Sequence, residues 1–229
     1  MINKININQF DSNMRSASVR SSILTYSDKF NVMIVGDDNV GKTSILERFD
    51  KRIFNEGRKS SRNIEDFSRE FKYEGKLYLF KLWDTLSQEK YSRISKAFYQ
   101  KADGIMIVTA SNNRESYLNI NKWIKQISDN IDIKNTPLVL ICNKIDLKGE
   151  RQVGLDEIRQ VAEDLGINYY ETSAKKNFGI DEAFNELFKK IVNKVYRINV
   201  DSALTCLPIL ALKTQKQFWV RHLLKECLS

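Results

Sequence analysis

From Phe30 onward the apolar positions of the chain switch repeatedly between strand and helix periods. Phe30-Asn31-Val32-Met33-Ile34-Val35 is a short β-rich apolar segment, and Ser44-Ile45-Leu46-Glu47-Arg48-Phe49 reads as a first helix. Residues 67–73 and 77–83 predict two strands joined by Glu74-Gly75, a hairpin signal. Gly104-Ile105-Met106-Ile107-Val108 and Leu138-Val139-Leu140-Ile141-Cys142 are continuous apolar runs, as expected of strands buried on both faces, and residues 116–127 between them have helical periodicity. A helix over 155–165 and a strand over 168–171 continue the alternation. In the last helix Ile180, Ala183, Phe184, Leu187, Phe188, Ile191, Val192 and Val195 fall on one face. The pattern predicts a doubly wound α/β domain whose ligand sits at the carboxyl ends of the strands.

Residues 1–28 are rich in Asn and Ser and lack the apolar core of a signal peptide, so a disordered polar arm is expected. Ile2 in place of Gly departs from the N-myristoylation pattern. With 229 residues, 42% hydrophobic and 29% charged, the chain suits one domain with a full core plus extensions. Three cysteines, Cys142 in an apolar run and Cys206 and Cys227 near the end, make neither a metal-ligand spacing nor an even disulfide set. A reducing, cytoplasmic setting is therefore expected. The formal charge of +8 suits nucleic acid or an anionic membrane surface. No nucleic-acid-binding signature accompanies it, so no nucleic-acid partner is expected and an intracellular membrane surface is preferred.

The chemistry sits in the loops. Gly36-Asp37-Asp38-Asn39-Val40-Gly41-Lys42-Thr43 fits G-x-x-x-x-G-K-[ST] between a strand and a helix, the context that gives the pattern its mechanics. Backbone N–H groups and the helix N-terminus converge there on a phosphate chain, Lys42 adds a charge on the outer phosphates, and the Thr43 hydroxyl can ligate Mg²⁺. Asp38, Asn39, Val40, Gly41, Lys42, Thr43 and Ser44 are the candidate phosphate contacts. Asp84, at the end of the strand closing in Leu82-Trp83, is the expected Mg²⁺-side acid, acting through water because Mg²⁺ dehydrates reluctantly. Gln88 is placed to orient an attacking water. Asn143-Lys144-Ile145-Asp146 follows one strand and Glu171-Thr172-Ser173-Ala174-Lys175 the next. The Asp146 carboxylate can accept from guanine N1–H and the exocyclic amino group, which adenine does not offer, and the stems of Lys144 and Lys175 can pack on the base.

These motifs, in this order, resemble a small Ras-superfamily GTPase. Phe80-Lys81-Leu82-Trp83-Asp84-Thr85, Gln88-Glu89-Lys90-Tyr91, Ala97-Phe98-Tyr99, Ala102-Asp103-Gly104 and Glu115-Ser116-Tyr117 are similar to the Rab branch. The similarity spans residues 29–197, leaving an arm of 1–28 and a variable tail of 198–229. It implies a mixed sheet of six strands with helices on both faces, binding of GTP or GDP with Mg²⁺, slow hydrolysis and two switch segments that respond to the γ-phosphate. It also implies a monomer that meets an exchange factor, a GTPase-activating protein and effectors through its switches, in vesicle or membrane traffic. Ser173 and Ala174 join the guanine contacts on this basis.

Several positions depart from the family. Ser87 stands where the switch II glycine is expected, which keeps an N–H toward the γ-phosphate and loses the glycine's freedom. Asp38 lies near the expected γ-phosphate, where it is either turned to solvent or a like-charge opponent of the triphosphate. Asn39 tolerates the left-handed backbone region better than most residues. Ser61 aligns with the family's metal-binding threonine and is either a Mg²⁺ ligand or a plain loop serine. Phe67, Trp83 and Phe98 match aromatic positions that meet effectors, with core packing as the alternative. Ser87 and Asp38 favour a nucleotide-locked binding module with little turnover; Gln88, Thr43 and Asp84 favour a working switch.

The tail ends Glu226-Cys227-Leu228-Ser229, one residue short of C-a-a-X, so prenylation of Cys227 is disfavoured. Trp219, Val220, Leu223, Leu224, Cys227 and Leu228 fall at helical spacing with basic residues on other faces, predicting an amphipathic helix that meets a membrane or a partner. The run 203–212 contains Pro208 and is too short to span about 30 Å of hydrocarbon.

Overall fold

The computed structural model describes residues 26–56, 67–85 and 95–206, with side chains described as far as residue 196. Strands β1 (Asp28–Val35), β2 (Phe67–Tyr73), β3 (Lys76–Asp84), β4 (Gly104–Ala110), β5 (Leu138–Asn143) and β6 (Asn168–Glu171) alternate with helices α1 (Lys42–Lys51), α2 (Lys96–Lys101), α3 (Arg114–Leu118), α4 (Ile120–Ser128), α5 (Leu155–Leu165) and α6 (Ile180–Cys206). The strands form one sheet in the order β2-β3-β1-β4-β5-β6. Only β2 runs antiparallel to its neighbour; the five strands from β3 to β6 along that order are mutually parallel. The fold is the doubly wound mixed sheet that the alternation predicts.

The strand period divides the core in two. In β1, Val32 and Ile34 join the layer under α1 and α6, whereas Met33 and Val35 join the layer under α2, α4 and α5. All residues of β4 and β5 are buried, as their unbroken apolar runs require. The hairpin between β2 and β3 turns at Glu74 (φ +48°) and Gly75 (φ +75°), the paired positive φ values of a two-residue connection that follows the strand twist. On the α6 side, Phe188 stacks on Phe80 with ring centroids 3.7 Å apart, and Phe184 stacks on Phe49 at 3.9 Å.

Strand β1 begins at Asp28, inside the segment assigned to the arm, and two helices also differ from the sequence expectation. The helix read over 116–127 is two helices, interrupted at Asn119, whose ψ of −4° flattens the turn between α3 and α4. Helix α6 continues past residue 197 to Cys206, so it enters the segment assigned to the tail. The arm before residue 26 and the tail after 206, with its amphipathic segment, Cys227 and Pro208, lie outside the described residues. Among the described residues no helix is long and apolar enough to cross a membrane.

Phe188 is fully buried and meets Phe49, Phe71, Phe80 and Phe184. Phe188→Ala is expected to cost about 3–5 kcal/mol in urea unfolding; a loss below about 1 kcal/mol would show that this ring stack does not hold α6 to the sheet.

Candidate functional site

Five parallel strands end on one edge of the sheet, so the segments that follow them meet there. After β1, the loop turns at Gly36 (φ +146°), where a Cβ would lie 2.1 Å from the Val108 carbonyl oxygen of β4. It enters α1 through Gly41 (φ +97°), where a Cβ would lie 2.5 Å from Asn143 Nδ2. Both positions combine positive φ with a close approach, which only glycine satisfies. Asn39 adopts φ +62°, the conformation its residue type tolerates, and with Asp38 it is exposed at the crest of the loop. Val40 is buried beneath it.

Lys42, 2% exposed, donates from Nζ to the carbonyls of Gly36 and Asp37, each at 2.7 Å. Thr43 donates its hydroxyl to Asp84 Oδ2, which brings the end of β3 against the first turn of α1. Thr85 next to it donates to the Ile34 carbonyl at 2.8 Å. Ser44 is half-buried on the same first turn. An ammonium aimed along the loop, a hydroxyl and carboxylate in contact, and glycines that allow close backbone approach fit a phosphate chain with Mg²⁺. Among the described residues there is no cluster of three or more metal-ligating side chains. A hard cation here would take Thr43, water-mediated Asp84 and substrate oxygens, the usual open arrangement for Mg²⁺.

Asn143 is the joint between the two halves of the site. Buried to 1%, it donates from Nδ2 to the Val40 carbonyl at 2.9 Å and accepts from Thr172 Oγ1 at 3.2 Å and Ala174 N at 3.3 Å. Ser173 donates to Asp146 Oδ1 at 2.6 Å and so orients that carboxylate. Lys144 sits at φ +63°, and burial lowers its ammonium from the usual range. Lys175 is drawn to Glu56, whose carboxylate raises the lysine by hydrogen bonding. Cys142 is fully enclosed, and burial pushes its thiol up to about 12, which leaves it unreactive.

A model of the Ras family matches residues 31–193. This chain belongs to the Ras family. As such it is a small GTPase with a GTP-binding switch domain, the type that generally binds GTP or GDP with Mg²⁺ and interacts with exchange factors, activating proteins and effectors.

Of the residues that sequence reasoning selected for this Ras-family site, the structure brings together Lys42, Thr43 and Asp84, and separately Asn143, Asp146, Ser173 and Ala174. Ser61 in segment 57–66, and Ser87 and Gln88 in segment 86–94, lie outside the described residues. The expectation for Phe67 is corrected toward core packing: it is 2% exposed because the alternation of β2 points it inward. Trp83 and Phe98 meet edge to face at 5.6 Å, and Phe98 remains 37% exposed.

Sequence reasoning missed four contributors. Arg48 reaches from α1 to the Ala174 carbonyl at 2.8 Å and the Lys175 carbonyl at 3.4 Å. Ser111, after β4, donates to the Lys144 carbonyl at 2.9 Å. Glu56 holds Lys175, and Asp37 accepts from Asn119 and Trp123. Asp37 falls on a position the phosphate-loop pattern leaves free; the other three stand outside any motif.

Asn143→Ala would unpair the buried Val40 carbonyl, Thr172 hydroxyl and Ala174 N–H together. The expected loss is about 2–4 kcal/mol of unfolding free energy, read by denaturant titration of the nucleotide-free chain; an unchanged midpoint would show that the joint is replaced by water.

Proposed function

We propose that this chain is a Rab-type switch that binds GTP and GDP with Mg²⁺, hydrolyses GTP slowly and works at an intracellular membrane surface in vesicle traffic. The observation that carries guanine recognition is Asp146, a carboxylate oriented by the buried Ser173 hydroxyl at 2.6 Å beside the half-buried Lys144. Asp146 accepts from the N1–H and amino group of guanine, while Lys144 and Lys175 cover the base. Asn143 and Ala174 hold that loop against the phosphate loop.

At the other end Lys42, which now meets the loop carbonyls, would meet phosphate oxygens, and Thr43, with Asp84 through water, would hold Mg²⁺. Bound Mg²⁺ supplies charge neutralisation at the phosphates. Gln88 is assigned the orientation of water and Ser61 the second metal contact, both from their sequence positions. The Rab branch is supported by the Trp83–Phe98 pair, aromatic surface beside the switch II segment suited to an effector.

A nucleotide-locked module is the second reading, favoured by Asp38 at the exposed crest of the phosphate loop and by Ser87 in place of glycine. Single-turnover hydrolysis separates the two. Asp38→Ser combined with Ser87→Gly is expected to raise the rate and Gln88→Leu to lower it; a rate indifferent to all three changes would overturn the assigned roles.

Discrimination between bases tests the reading as a whole. GTP is expected to bind roughly 10⁴-fold or more tightly than ATP, because adenine leaves Asp146 facing an acceptor. Asp146→Asn should move the preference toward xanthine nucleotides. Equal affinities for ATP and GTP in a direct titration would remove the proposal.

A further inference from the structure

The second residue of the phosphate loop is tied to a helix on the far side of β4. Asp37 accepts from Trp123 Nε1 at 2.8 Å through Oδ1 and from Asn119 Nδ2 at 2.6 Å through Oδ2, so each carboxylate oxygen has its own donor. Trp123 is 6% exposed on α4, and Asn119 is the interruption between α3 and α4. Meanwhile the Asp37 backbone carbonyl accepts from the Lys42 ammonium at 2.7 Å. One residue thus carries both the fastening of the loop to α4 and an anchor of the lysine.

We propose that Asp37 is a positioning residue, clamped by Trp123 and Asn119, that presets the loop's backbone for the outer phosphates and keeps its own carboxylate off them. The chemistry favours this over a plain structural staple. A carboxylate in a loop that receives anions opposes them unless it is held elsewhere, and two N–H donors to an ionised acceptor are stronger than neutral pairs. Gly36 adds that the loop has no slack on the β4 side, since its backbone already rests against Val108. The direction of the Asp37 carbonyl is therefore set from both sides. The clamp on the carboxylate and the anchor of Lys42 thus lie on one residue.

The inference rests on the guanine-nucleotide reading and deepens it. It is tested on the full chain stripped of nucleotide, by titrating GDP and GMP in Mg²⁺ buffer. Asp37→Ala is expected to weaken GDP about tenfold while GMP, which lacks the outer phosphate, changes by less than about twofold. Trp123→Phe, which keeps a ring in the core and removes one donor, and Asn119→Ala should each give a smaller loss in the same direction. Asp37→Asn, which retains one acceptor, should recover part of the affinity. A wild-type chain that binds GDP with a GDP-to-GMP ratio unchanged in all four variants overturns the clamp alone. Equal losses for GDP and GMP overturn it too, showing a staple that supports the whole fold. A wild-type chain that binds neither nucleotide overturns the guanine reading and the clamp with it.

Discussion

A lysine ammonium almost withdrawn from water has to be met by oxygen, and the path of the chain after β1 follows from that requirement. Lys42 reaches back over its own loop to the Gly36 and Asp37 carbonyls, which closes the loop into a ring around a positive charge. The ring survives only because Gly36 and Gly41 let it lie against β4 and Asn143 without a Cβ in the way. Everything placed around the loop, from Asp84 on one side to Asn143 on the other, is arranged with respect to that charge. Phosphate oxygens in place of the Gly36 and Asp37 carbonyls would keep the ammonium met by oxygen, which suits the loop to a phosphate chain.

The parallel sheet supplies the second constraint. Because β3, β1, β4, β5 and β6 point the same way, side chains far apart in sequence arrive at one edge: Asp84, Lys42, Ser111, Asn143 and Ser173. Hydrogen bonds then tie these loops laterally, Asn143 to Val40, Ser111 to Lys144 and Ser173 to Asp146. The strands give position and the lateral bonds give orientation.

Much of this was legible in the chain before any coordinates. Continuous apolar runs mark β4 and β5 because both faces are covered, and Glu74-Gly75 marks the hairpin because Gly75 readily takes the positive φ that the turn requires. The phosphate loop and the Asn143–Asp146 and Ser173–Lys175 loops were legible because their chemistry demands particular residues at fixed spacing. What escaped reading was contact between motif and scaffold. Asp37 looks like any polar loop residue until Trp123 and Asn119 are brought beside it, and Arg48 looks like an ordinary exposed helix position. The interruption at Asn119 escaped too, because hydrophobic period does not register a single flattened turn. For Phe67 the resemblance left effector contact and core packing both open, and the strand alternation that turns it inward decides for the core.

Helix α1 has a mechanical consequence. Its first turn carries Lys42 and Thr43, and little more than a turn later Arg48 grips the Ala174 and Lys175 carbonyls of the loop that flanks the base. The helix is thus a short stiff rod bolted to both ends of the same site. A displacement of α1 along its axis would therefore disturb the phosphate end and the base end of the site together.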